Sequence, residues 1–315
     1  MTKQAQLILR DTTLREGLDV PNVVFSLAQR LSIVSALTEL GVQELEVVAP
    51  ARVDDDLPVA SAIREQFPEQ QITGLLYAAS PRLEDQVRRT CSVLSRVEVL
   101  VSASPQRRPF EFAEKLSLLR SASSVVARLY DDFGAGFPNS SQVTVDQVKQ
   151  LVSVAVESGA NRITIYDTNG SADPFSTHRL VQSVVETCPV PVFFHGHNDL
   201  GMATANTLAA IMAGASGADV TLNGLGDRAG NCSLEQIAVC LHTRGYDTGI
   251  DFRLLKRASE SVAIASGLSI GPLSPVTGAY IFSQESPGHL ENPSLFYAFD
   301  PQLLCAERLP GGADE

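Results

Sequence analysis

Short apolar runs alternate with helix-period stretches along the first 245 residues. The runs that read as strands buried on both faces are 7–10, 44–48, 72–77, 97–101, 125–130, 162–166, 190–194 and 219–222. Between them, 26–40, 57–67, 81–94, 110–122, 146–158, 174–187, 204–213 and 234–241 place apolar residues at three- and four-residue spacing, as amphipathic helices do. Several of these stretches follow Ser, Thr, Asp or Pro, the residues that suit a helix start. Eight strand–helix units in succession predict an α/β chain folded as a (β/α)8 barrel. An open doubly wound sheet would have about six strands and a glycine-rich first turn, and no GxGxxG follows the first strand here.

Beyond residue 245 the alternation stops. A helix is expected over 251–266, after which Gly271, Pro272, Pro275, Gly278, Pro287, Gly288, Pro293 and Pro301 break up the chain. The division expected is therefore a catalytic barrel over 1–245 and a short helical and loop-rich appendage over 246–315. With Tyr280, Phe282, Phe296, Tyr297 and Phe299 in it, the appendage reads either as a lid over the carboxyl-end rim or as an arm packed against the barrel or a second subunit. Gly311 to Glu315 read as a disordered tail.

The 315 residues are 44% hydrophobic with 22 Gly and 17 Pro, the composition of an ordinary soluble globular protein. No apolar run approaches the roughly 20 residues of a membrane span, and the amino terminus carries no secretory apolar region. Cys91, Cys188, Cys232, Cys240 and Cys305 are odd in number and scattered, so neither a disulfide framework nor a CxxC knuckle is expected, and a cytoplasmic setting is. A net charge of −12 without any Lys/Arg block argues against nucleic acid or an anionic membrane as partner. A small anionic substrate stays open, because a metal and a few local arginines can outweigh the global field.

In a parallel barrel the chemistry gathers at the carboxyl ends of the strands. Those ends carry Arg10-Asp11-Thr12-Thr13-Leu14-Arg15-Glu16-Gly17, Glu44 and Glu46, Ser102 and Ser104, Asp131 and Asp132, Asp167-Thr168-Asn169-Gly170, and Asn223 to Asn231. The seventh run leads into His195-Gly196-His197-Asn198-Asp199-Leu200-Gly201. Side chains alternate along a strand, so His195 and His197 leave on one side, roughly 6–7 Å apart along the axis. Two such imidazoles either cap a strand or offer two nitrogens to one divalent cation. So many polar residues on one rim of an apolar scaffold are costly to fold and point to a site.

On Asp11 to Gly17, Asp167 to Gly170, His195 to Asn206 and Asn223 to Asn231, in that order over roughly residues 7–245, the chain resembles a family of barrel metalloenzymes. That family includes homocitrate synthase, isopropylmalate synthase, citramalate synthase and hydroxymethylglutaryl-CoA lyase, and the wording around His195 and Asn231 is most similar to homocitrate synthases. The resemblance implies a divalent metal (Mg, Mn or Zn) on Glu16, His195 and His197, with Asn231 as a further ligand or neighbour. It implies that Arg15 stabilises the alkoxide forming from a ketone, and that Thr168 holds the carboxylate of a 2-oxo acid, with Ser102, Asn198 and Asp19 facing the substrate. Asp11 and Asp199 would anchor Arg15 and the imidazoles.

The implied reaction is a Claisen-type condensation. Acetyl-CoA, or another acyl-CoA, loses an α-proton; the enolate attacks the 2-oxo acid, and thioester hydrolysis drives formation of a 2-hydroxy-2-alkyl di- or tricarboxylic acid. The base would come from the appendage across a homodimer interface: Glu285 and His289 of Gln284-Glu285-Ser286-Pro287-Gly288-His289 match the family's His-Glu-Ser-Gly-Ile-His, with Tyr297 as a lid tyrosine. A carbon–carbon lyase running the reverse cleavage, or a catalytically silent barrel subunit, is compatible with the same residues. Departures from the family are Leu18-Asp19 in place of Glu-Gln, Phe193 in place of Glu, and rims at 76–78 and 131–134 without arginine or histidine. The appendage also ends early, near Arg308. They predict a nonstandard 2-oxo acid, with Asp19 disfavouring a second carboxylate and suiting a neutral or cationic substituent.

Overall fold

Eight parallel strands form a ring: β1 (Ile8–Asp11), β2 (Glu44–Val48), β3 (Gln71–Tyr77), β4 (Arg96–Leu100), β5 (Phe133–Phe137), β6 (Arg162–Asp167), β7 (Val192–Gly196) and β8 (Gly217–Val220). Each pairs with the next and β8 returns to β1, closing the barrel. This computed structural model describes residues 7–104 and 111–304. The connecting helices are α1 (Leu27–Leu40), α2 (Val53–Gln66), α3 (Leu83–Thr90), α4 (Phe112–Val126), α5 (Val145–Glu157), α6 (Pro174–Val185), α7 (Ala203–Met212) and α8 (Leu234–His242), and α9 (Leu255–Ser266) follows the barrel. The (β/α)8 expectation is met.

The helix starts carry the expected chemistry. Ser26 and Thr144 each accept a bond from the backbone N–H of a glutamine three residues on, whose side chain returns the bond. Asp173 does the same work ahead of Pro174. Among the described residues no helix is long and apolar enough to cross a membrane.

The fifth strand is a correction. The apolar run at 125–130 is the last turn of α4 and its exit, with Tyr130 buried beneath it. The strand itself is Phe133-Gly134-Ala135-Gly136-Phe137, whose glycines are unfavourable by strand propensity. They are there for space: a Cβ on Gly136 would lie 2.6 Å from Glu98 Oε1, 2.7 Å from Leu100 Cδ2 and 2.8 Å from Tyr166 Cε2. Asp131 and Asp132 consequently precede β5, at the amino end of the barrel, where Asp132 pairs with Arg96 (2.7 Å). The rim residues of β5 are Pro138, Asn139 and Ser140 instead. Glu44 is also moved: it opens β2 and is buried beside Arg162.

The barrel interior is charged. Arg10, fully buried, donates to Asp219 from Nε (2.7 Å) and Nη2 (2.9 Å) and to Glu98 from Nη1 (2.8 Å), and lies 3.4 Å from Glu46. Thr164 and Tyr166 donate to the same Glu98, and the Arg162 guanidinium lies 4.0 Å from the centre of the Phe193 ring. A buried belt of this kind is tolerable only because nearly every member has a charged or hydrogen-bonding partner. The appendage rests on the barrel: α9 packs along α1, Gln29 bonds the Ala265 carbonyl, and Leu255, Ala258, Val262, Val276 and Leu304 join the main core. Cys305, Arg308 and the 311–315 tail lie outside the described residues.

Candidate metal and active site

β1 leaves the barrel through Asp11, whose carboxylate accepts the Thr13 N–H and hydroxyl (both 2.9 Å). The Thr13 hydroxyl in turn accepts the Leu222 N–H (2.9 Å) beyond β8. This stitch holds the helical turn Thr13–Glu16 over the mouth, with Arg15 and Glu16 buried. From the far side, β7 supplies its alternating pair. Glu16 Oε1 lies 3.2 Å from His195 Nε2 and 3.9 Å from His197 Nε2, and the two Nε2 atoms are 3.3 Å apart.

A bridge between His197 and Asn231 brings in the loop after β8, placing the Asn231 amide 3.1 Å from His195 Nε2 with its Oδ1 buried and without a partner. The loop can pass so close only because residue 226 is glycine: a Cβ there would sit 1.8 Å from Asn231 Oδ1.

The donor chemistry fits a divalent cation. Asp219 receives His195 Nδ1 at 2.9 Å, which puts the proton there and leaves the Nε2 lone pair aimed at a carboxylate oxygen and a second imidazole. Converging lone pairs of this kind need a cation or a proton between them. The electrostatics agree. Burial alone would lower His195, yet the bonds to Asp219 and Glu16 carry it up to about 9. Burial and the neighbouring His195 push His197 down to about 3. Glu16, despite its burial, is held well below the usual carboxylate range by Arg15 and both imidazoles. One carboxylate and two imidazoles leave coordination positions open for a chelating substrate. If the Asn231 amide turns over, it offers an oxygen to the same point.

Arg15 is clamped, its Nε on Glu46 (2.7 Å) and its Nη1 on Glu16. Its Nη2 is buried without a partner, a free donor beside the Glu16 carboxylate. The sequence reading singled out neither Glu46 as the clamp nor Asp219 as the imidazole's anchor; Asp199, which it placed in that role, bonds Arg228 instead (2.7 and 2.9 Å).

Around the rim, the other candidates separate. The Thr168 hydroxyl accepts the Asn139 N–H (2.7 Å), and the Asn139 amide donates to the Ser102 hydroxyl (3.0 Å), so one residue ties two candidates together. Asn139 was missed because β5 was sought too early in the chain. Its φ of 64° follows the residue order Pro-Asn-Ser, a turn signal that could have revealed it. Asn198 accepts the Ala203 N–H (3.1 Å) and so serves the start of α7. Asp19, half exposed, is met by Arg52 (2.6 Å), which also bonds the Arg15 carbonyl; the charge at that corner, expected to disfavour a second carboxylate, is therefore compensated. Glu285, His289 and Tyr297 lie on the appendage: His289 stacks on Phe296 (3.8 Å between ring centres) and Tyr297 meets Phe282 edge-on. Among the described residues none of the three bonds the Glu16 centre.

Residues 6–262 match the HMGL-like family. The chain is 30% identical to a 2-isopropylmalate synthase from Caldanaerobacter subterraneus subsp. tengcongensis, over 97% of this chain and 81% of that protein. It is 33% identical to homocitrate synthase 1 of Nostoc sp., over 96% of this chain and 82% of that one. In structure it is similar to the hydroxymethylglutaryl-CoA lyase of Pseudomonas aeruginosa, with a TM-score of 0.73, 19% identity, and coverage of 89% and 99% of the two chains.

Proposed function

The chain belongs to the HMGL-like family, and on that premise we propose that it condenses an acyl-CoA, most simply acetyl-CoA, with a 2-oxo acid. The observation that carries the reading is the meeting of Glu16, His195 and His197 beside the free Nη2 of Arg15. Those three side chains would hold a divalent cation, Mg, Mn or Zn, with Asn231 as a fourth donor. When bound, the cation supplies Lewis-acid polarisation of a ketone and an anchor for the adjacent carboxylate.

The chain's own residues do the rest. Arg15 Nη2 donates to the ketone oxygen and strengthens that bond as negative charge develops, its guanidinium held in place beforehand by Glu46 and Glu16. Thr168, supported by Asn139, binds the carboxylate of the 2-oxo acid, and Ser102 faces its other end. Asp219 keeps the proton of His195 on Nδ1. Glu285 and His289, with Tyr297 beside them, remove the α-proton of the thioester from the appendage of a second copy. Supporting a homodimer, that arm exposes the apolar side chains of Leu273, Tyr280, Leu295 and Phe296, which a second copy would cover. Cys91, Cys188, Cys232 and Cys240 are free thiols, which agrees with a cytoplasmic setting.

The test is release of free thiol from acetyl-CoA by the purified metal-loaded protein across a panel of 2-oxo acids. Release that requires a 2-oxo acid supports condensation. Cleavage of a hydroxyacyl-CoA, with no release in that panel, overturns it in favour of a lyase.

A further inference from the structure

We propose that the cavity over the carboxyl ends of β3, β4 and β5 seats the side chain of the 2-oxo acid and selects a large, uncharged, mainly apolar one. The inference rests on the condensation reading and adds the substrate class. The cavity, of about 470 Å³, is lined by Tyr77, Leu100, Ser102, Leu118 and Pro138, with Lys115 at its edge. That volume lies within the range of small-molecule pockets.

Packed side chains on the inner face run between the cavity and the candidate centre. Glu98 points inward to Arg10, so alternation turns Leu100 and Ser102 inward as well. Tyr77 shares its face with Leu75, and Leu75, Leu100 and Tyr166 form a small buried cluster of their own. The Tyr166 ring lies 4.6 Å from that of His195. An apolar floor thus runs from His195 across Tyr166 and Leu100 to Tyr77. Gly136 keeps this floor open by leaving room for Leu100 and Tyr166.

The lysine there is already committed. Lys115 spends its donors on the carbonyls of Ser102 (2.8 Å), Ala103 (3.2 Å) and Ser104. The Ser102 hydroxyl takes the Asn139 amide. Among the described residues the lining therefore offers no uncommitted cation to a second carboxylate, while Tyr77 leaves 46% of its surface exposed beside the mouth. A substituent that covers Tyr77 removes apolar surface from water; a carboxylate in the same place would be desolvated unpaired.

The experiment holds acetyl-CoA fixed and compares pyruvate, 2-oxoisovalerate, 2-oxoisocaproate, phenylpyruvate, 2-oxoglutarate and oxaloacetate by thiol release. The same acids are titrated calorimetrically into the manganese-loaded protein. The expected result is kcat/KM and affinity rising at least about tenfold from pyruvate to 2-oxoisocaproate or phenylpyruvate, with 2-oxoglutarate about 100-fold below the best of them. Tyr77→Arg shifts the ratio of 2-oxoglutarate to phenylpyruvate binding by at least about tenfold, and Tyr77→Ala weakens phenylpyruvate binding. Tightest binding of either dicarboxylic acid, ratios unmoved by both variants, or selectivity that follows only the acyl chain of the thioester overturns the proposal. Absence of thiol release with every acid refutes the condensation reading, while the binding series decides the cavity on its own.

Discussion

Replacing Asp219 with asparagine tests how the candidate metal centre is tied to the barrel interior. The carboxylate makes three bonds: Oδ1 accepts Arg10 Nε at 2.7 Å, and Oδ2 accepts both Arg10 Nη2 at 2.9 Å and His195 Nδ1 at 2.9 Å. An amide puts a donor at one of those two positions. With its NH2 group at the Oδ1 position it opposes Arg10 Nε and spares His195. The other way round it opposes Arg10 Nη2 and His195 Nδ1 together, driving the imidazole proton to Nε2, where it blocks a ligand. Either orientation removes a charge that Arg10 needs inside the barrel. Losing such an anchoring carboxylate costs about 10–100-fold in metal affinity, or about 1.4–2.8 kcal/mol at 1.4 kcal/mol per tenfold. Arg10 keeps Glu98 and Glu46, so the fold should survive with a lower melting temperature. The assay is manganese or zinc titration by calorimetry or chelator competition, with circular dichroism as the control for folding. A folded Asp219→Asn protein that binds metal as tightly as the parent would refute the view that Asp219 sets the tautomer of His195.

The other predictions concern the same centre. Glu16→Gln and His197→Ala proteins should purify without stoichiometric metal while keeping the parent's circular dichroism; metal retained at full occupancy in both would remove Glu16 and His197 as ligands. Arg15→Lys keeps the charge but cannot serve Glu46, Glu16 and a ketone oxygen at once, so kcat should fall about 10²–10³-fold with metal content unchanged; an unaltered kcat would show that the free Nη2 has no part in the chemistry. His195 is carried up to about 9, so in the metal-free protein its protonation stabilises the fold fully below the unfolded value of about 6.5 and is lost as pH rises through 9. Metal must displace that proton, so affinity should climb about tenfold per pH unit across this window. A flat affinity there would contradict the placement of His195 between Asp219 and Glu16.

What could be read from the chain and what could not divide along physical lines. Strands buried on both faces leave continuous apolar runs, so seven of the eight were visible, and alternation alone put His195 and His197 on one side. β5 was hidden because its composition answers to its neighbours. Gly134 and Gly136 make way for Glu98, Leu100 and Tyr166, contacts supplied by chain far away in sequence. That displacement carried Asp131 and Asp132 to the wrong end of the barrel and concealed Asn139. The same holds for charge pairing. Asp19 looks unpaired in sequence because its partner, Arg52, comes from the next strand–helix unit, and Glu46 and Asp219 acquire their roles only when the ring closes around Arg10.

The two halves of the mouth are built from different kinds of constraint. On the β1, β7 and β8 side, Glu16, His195, Asp219 and Arg10 are linked bond to bond into the buried belt. A change at any one of them leaves a charge or a lone pair stranded in a medium that cannot solvate it. On the β3 to β5 side the walls are Tyr77, Leu100, Leu118 and Pro138, where an apolar side chain of similar volume costs little in stability. The first half therefore resists variation and the second permits it. Relatives of nearly equal identity can thus carry different names, a 2-isopropylmalate synthase at 30% and a homocitrate synthase at 33%, because overall similarity is dominated by the scaffold both need. On the proposed reading, substrate choice in this chain lies on the permissive side, where Tyr77 stands exposed and Lys115 is already spent.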